Sequence, residues 1–128
     1  MSDKHPIVHT FLESMMIMFF ELLGTLLLTT LYMMNKGNAL SMFIGYFILL
    51  ILSARISGSH YNPIVTLAFM LRKDAGQFNR WLGILYMMFQ LVGALAGAFI
   101  AYYVFRAVPG ADQVLAVYEN PKGVQLVS

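Results

Sequence analysis

Three long apolar runs, at residues 11–34, 39–56 and 81–105, are separated by short polar stretches. Each is predicted to be a helix that crosses a bilayer, because about 20 predominantly apolar residues span the hydrocarbon core. Asn35-Lys36-Gly37-Asn38 lies between the first two runs and reads as a tight turn. A shorter apolar run, from Ile64 to Leu71, follows the second and is too short to cross. Next comes the most polar stretch of the chain, from Arg72 to Arg80, and then Trp81, an indole suited to a membrane–water interface. Residues 1–10 form a polar lead and residues 109–128 a polar tail, which leaves residues 11–108 as one compact unit.

The segment Ser57-Gly58-Ser59-His60-Tyr61-Asn62-Pro63-Ile64-Val65-Thr66 joins the second run to the short one. Asn62 is a good helix N-cap, since its side-chain oxygen accepts from the first free backbone N–H groups. Pro63 suits the first helical position, where no N–H is missed and φ is already set. Gly58 with the small polar Ser57 and Ser59 favours irregular backbone before that cap. The prediction is a re-entrant segment over residues 57–71: a loop that dips into the membrane, and a half-helix that starts there with its N–H groups aimed at a cavity.

Glu21 is the one charge deep in the first run, and an ionisable residue at that depth must face protein or water. It shares a helical face with Gly24, Thr25 and Leu28, a seam of small residues that suits close packing. Its expected role is to accept hydrogen bonds from the loop backbone rather than to relay protons. In the third run Gly93 and Gly97 form a GxxxG, extended by Ala101, and Gln90 lies on the same face. That face is read as helix packing, with Gln90 hydrogen-bonded inside the protein. Ser41, Gly45, Leu49 and Ser53 give the second run a narrow, slightly polar stripe. Arg55, at its far end, can reach the headgroups.

The chain has 128 residues, 59% hydrophobic and 11% charged, with a mean hydropathy of +0.72. A soluble domain carries about 25% charged residues, so the class is integral membrane protein. An organellar inner membrane and the plasma membrane are both compatible with it. The net charge of +2 is too small, and too scattered, for nucleic-acid binding. With no cysteine there is no disulfide, thiolate nucleophile or thiolate metal site. His5 and His9 are four residues apart, but Pro6 between them opposes a regular helix, and they read as two solvated histidines rather than a metal site. No metal, cofactor or catalytic constellation is expected, and no enzyme activity. Lys4, Arg55, Arg72, Lys73 and Arg80 fall on one side of the predicted topology and Lys36, Arg106 and Lys122 on the other. This modest bias places the N-terminus inside.

SGSHYNPIVT closely resembles the SGAHxNPAVT loop of the aquaporins, the major intrinsic protein family. Glu21-x-x-Gly24-Thr25 upstream resembles the family's first-helix pattern, and Tyr86-x-x-x-Gln90-x-x-Gly93-Ala94-x-x-Gly97-Ala98 its third-helix pattern. The resemblance covers nearly the whole chain but only the N-terminal half of the family's architecture. Asn120-Pro121 lacks the lead residues and the following Arg of the second family signature and is read as a turn. The implied fold is all-α: three transmembrane helices plus one re-entrant half-helix, with Glu21 bracing the loop.

The resemblance also implies a mechanism. Two half-helices meet N-terminus to N-terminus, their dipoles repel cations and protons, and loop carbonyls accept hydrogen bonds from water. Carried over, Asn62 donates to the passing oxygen, Gly58, Ser59, His60 and Tyr61 supply loop backbone, and Pro63 precedes Ile64, which stands where the family has Ala. The pore-narrowing aromatic of the family falls near Met42 or Phe43, each of which reads here as a lipid or helix contact.

Irregular backbone cannot face lipid, so the loop needs cover. That cover is expected from other membrane protein subunits, the other half on a partner chain, or a second, inverted copy. The expected function is therefore a half-repeat that forms no pore alone and serves as a structural or accessory subunit of a larger membrane complex. The alternative is a channel for water or small neutral solutes, formed with a second half.

Overall fold

The computed structural model describes residues 11–35, 38–72 and 79–107. The two N-terminal histidines, the centre of the Asn–Gly turn, most of the polar run after Arg72, and the tail with its second Asn-Pro lie outside the described residues. The described residues form four helices and no strand: α1 Phe11–Met34, α2 Ala39–Ser53, α3 Pro63–Leu71 and α4 Arg80–Ala107.

Among the described residues only α1 and α4 are long and apolar enough to cross a bilayer by length and composition. The second helix was expected to reach residue 56 and instead ends at Ser53. At 15 residues it is about 22 Å long, short of a hydrocarbon core of about 30 Å. The backbone tightens there: the Ser53 carbonyl accepts from both Ile56 N and Ser57 N at 2.9 Å, and Gly58 N reaches Ala54 O at 3.1 Å. Residues 54–57 thus continue as turns that carry the chain into the loop. The last helix, expected over residues 81–105, gains a residue at its start and two at its end.

Close backbone contact fixes how the helices run. A Cβ on Gly93 would land on the Leu22 carbonyl, and one on Gly97 on the Leu26 carbonyl. The partners advance in step, so α1 and α4 are parallel, and Thr30 Oγ1 donates across them to Gly97 O at 3.2 Å. Helix α2 returns antiparallel: Gly45 meets the side chain of Leu31, while Arg55 and Ile56 arrive beside Leu12 and Glu13. Helix α4 begins at that same end, where Leu82 and Tyr86 cluster with Ile17 and Met18. The segment between α2 and α4 must therefore leave one end of the bundle and come back to it. At its turning point Tyr61 lies against Gly24, midway along α1.

The distribution of polarity is the reverse of a soluble domain. Gln90, Glu21, Thr66, Ser53 and Ser59 are the largest fully buried side chains. Phe19, Phe47, Ile51, Leu95 and Phe99 point outward, exposed, and Trp81 is exposed at the start of α4. An apolar exterior around a hydrogen-bonded polar interior is the arrangement that hydrocarbon solvent favours.

Candidate functional site

The site is built around Glu21, which is fully buried on α1. Its Oε1 accepts from Ser57 Oγ at 2.6 Å and from His60 N at 3.1 Å. Its Oε2 accepts from Tyr61 N at 2.8 Å and from Gln90 Nε2 at 2.7 Å. A carboxylate only accepts, with about four lone-pair sites, and all four partners here are neutral donors. The charge is held by directed dipoles instead of a cation.

The loop needs this support because its backbone is contorted. Gly58 has φ 81°, Ser59 φ 53° and Tyr61 φ 47°. Glycine takes that region freely, whereas each non-glycine there costs on the order of 1–3 kcal/mol. The N–H groups of His60 and Tyr61 both point at the one Glu21 carboxylate. A second network fixes the far side. Ser53 Oγ lies 2.7 Å from Ser59 Oγ and also bonds the Tyr61 hydroxyl, which donates to Leu49 O at 3.1 Å. The Tyr86 hydroxyl donates to Ser57 O at 2.5 Å.

His60 and Thr66 complete the buried layer. His60 Nδ1 lies 3.1 Å from Thr66 Oγ1, and its ring stacks on Phe69 with centroids 4.6 Å apart. Thr66 Oγ1 accepts from Gln90 Nε2 at 3.0 Å. Among the described residues no buried side-chain nitrogen or oxygen lacks a partner. Nor do they hold a group of three or more His, Cys, Asp or Glu side chains that could bind a metal ion.

Asn62 ends the loop with extended backbone, and its Oδ1 accepts from Ile64 N at 2.9 Å. Pro63 opens α3 at N1. One amide oxygen thus caps the helix, and the N–H2 of the same group is left for another acceptor. Asn62 and Pro63 are exposed, and Ile64 is 75% exposed at the tip. Beside them runs an open groove of about 540 Å³, lined among others by Leu28, Met42, Phe43, Tyr46, Tyr61 and Asn62.

The structure brings Glu21, Ser59, His60, Tyr61 and Gln90 into one buried layer, with Gly24 beneath the Tyr61 ring and Gly93 and Gly97 at the α1–α4 contact. Gly58, Asn62, Pro63 and Ile64 stand at the exposed edge. The three longer helices were expected to leave the loop uncovered. They bury Ser57, Ser59, His60 and Tyr61 to 5% exposure or less, and leave Gly58 and the tip at residues 62–64 exposed. The physical reason is that Glu21 and Tyr86 draw the loop inward from opposite helices. Sequence reasoning missed Ser53, Thr66 and Tyr86 as parts of this network. Four-residue spacing from Leu49 to Ser53, and from Tyr86 to Gln90, was the signal available for two of them.

The family model described as Major intrinsic protein matches residues 2–126. The chain is similar to the lens fiber major intrinsic protein of Gallus gallus, 41% identical over 71 residues, which is 56% of this chain and 26% of that protein. It is also similar to the lens fiber major intrinsic protein of Bos taurus, 47% identical over 49 residues, 38% of this chain and 18% of that protein. The matched stretches thus span about a quarter or less of these relatives' own lengths. No solved structure matches the chain. With the match running almost end to end, this chain belongs to the major intrinsic protein family, whose members are integral membrane proteins.

Proposed function

We propose that this chain is an aquaporin-like half-repeat in an integral membrane protein, and that it forms one wall of a conduit for water or small neutral solutes. In this reading α1, α2 with its following turns, and α4 cross the bilayer, and residues 57–71 are the re-entrant loop and half-helix. A second half, on the same polypeptide, a partner chain or an inverted copy, supplies the facing wall. The observation that carries the reading is the Asn62 corner. A buried carboxylate holds the loop so that the N-terminus of α3, with its partial positive charge, and a free amide N–H2 meet at the edge of an open groove. Such a corner offers donors to a neutral oxygen and repels a cation. Family membership supports a channel and needs no catalytic step.

A second reading, as a structural or accessory subunit of a larger membrane complex, is favoured by Ile64. A β-branched side chain 75% exposed beside Asn62 is well placed to be buried by a neighbouring subunit and to plug the space between the two walls.

Osmotic swelling of vesicles separates the two. The assembly purified through a tag on this chain is reconstituted, and its water permeability is compared with that of protein-free vesicles. The conduit reading expects faster swelling that falls in Asn62→Ser, which keeps a capping oxygen but removes the amide donor. Swelling no faster than in protein-free vesicles, with partners still bound, rejects the conduit and leaves the accessory role.

A further inference from the structure

We propose that Tyr46 is the residue that limits which solutes pass this corner, a proposal that rests on the conduit reading above. Tyr46 stands on α2 one helical turn beyond Met42, on the wall of the groove that Asn62 closes. Its ring meets that of Tyr61 edge-on, with centroids 6.2 Å apart and planes at 84°. Its hydroxyl donates to the carbonyl of Ser59 at 3.5 Å. The resemblance would place the narrowing at Met42 or Phe43. Phe43 also lines the groove, but it is 67% exposed and its ring stacks on Phe47, away from the loop. Of the aromatic groups on that wall, it is Tyr46 that reaches the loop.

The geometry gives Tyr46 two separable effects. The ring takes up width beside Asn62, so it sets the size of solute that fits. The hydroxyl occupies an acceptor that a passing solute would otherwise use. At 3.5 Å this bond is at the long limit and weak. Water, itself a donor, can displace it and use the Ser59 carbonyl. A larger polyol needs the same carbonyl and the space of the ring together. The side chain thus favours water over bulkier neutral solutes, through a contact that breaks and re-forms with each passage. The neighbouring groups are suited to hold a fixed frame around this one movable part. The Tyr61 hydroxyl is tied to Ser53 and Leu49, and Ser59 Oγ to Ser53.

The test uses the tagged assembly in vesicles, with water and glycerol permeability measured for wild type, Tyr46→Phe, Tyr46→Leu and Asn62→Ser. Tyr46→Phe keeps the ring and frees the carbonyl. It should raise water permeability roughly twofold to tenfold, the range set by one hydrogen bond, with little change in glycerol exclusion. Tyr46→Leu should lower the ratio of water to glycerol permeability by at least a similar factor. If both variants keep the wild-type water rate and water-to-glycerol ratio while Asn62→Ser lowers conduction, this proposal is overturned and the conduit stands. If no variant, nor wild type, exceeds protein-free vesicles, the conduit reading and this proposal fall together. Tyr46→Phe leaves the packing volume almost unchanged, so a folding defect in Tyr46→Leu does not remove the test.

Discussion

The carboxylate of Glu21 accepts the backbone N–H of Tyr61 at 2.8 Å, across 40 residues of sequence. This bond joins the middle of α1 to the turning point of the loop and makes the left-handed φ of Tyr61 tolerable. Glu21→Gln tests it with almost no change of shape. The new amide N–H2 would face two donors, Tyr61 N and Gln90 Nε2, if it took the place of Oε2. Each buried donor left unpaired costs about 1–3 kcal/mol. A clear fall in the thermal midpoint in detergent is expected, together with faster amide exchange at residues 60 and 61. An unchanged midpoint would show that the loop holds its shape without the acid.

Gly24 and Tyr61 are matched as notch and plate. A Cβ at residue 24 would overlap the Tyr61 ring, whose hydroxyl is anchored at Ser53 and Leu49 and cannot retreat. Gly24→Ala should destabilise by about 1–3 kcal/mol, as overpacking does. Tyr61→Leu in the same chain should recover part of that loss. A double-mutant cycle reads the coupling, and strict additivity would disprove the fit described.

Three glycines rank by what they face. Gly93 and Gly97 face carbonyls of the α1 backbone, whereas Gly45 faces the end of the Leu31 side chain, which can change rotamer. Alanine at residue 93 or 97 should therefore push α1 and α4 apart and cost more than alanine at residue 45. Unfolding in a denaturing detergent series would measure the order, and equal costs at all three sites would contradict it.

The cap of α3 should be separable from the amide donor. Asn62→Ala removes both and should cost about 1 kcal/mol of stability, the usual value of an N-cap. Asn62→Ser should retain most of that stability and lose only the donor. Thr66→Val, which deletes the hydroxyl between His60 and Gln90 and its bond to Asn62 O, should cost about 1–3 kcal/mol while the Asn62 Oδ1 cap on Ile64 N stays in place. Thermal melts of the three variants check the ranking.

Much was legible before any coordinates. Asn62-Pro63 followed by an apolar octet announces a capped short helix, because cap and N1 preferences are local properties of the backbone. A lone acid on a face of Gly and Thr announces a buried acceptor, because hydrocarbon tolerates no solvated alternative. The spans at residues 11–34 and 81–105 follow from length and apolarity alone.

What required the fold is whatever depends on atoms far apart in the chain. That Glu21 takes four donors from two segments, the loop and α4, and that Tyr61 turns left-handed to fill the space over Gly24 are outcomes of packing. No window of sequence contains both partners of such contacts. Local propensity, moreover, argues against the Tyr61 conformation. Apolar pattern and capping chemistry determined where the four helices of the described residues start, to within a residue. The meeting of one carboxylate with a strained loop, possible only once α1 and α4 lie parallel and close, decided how the Asn62 corner is presented.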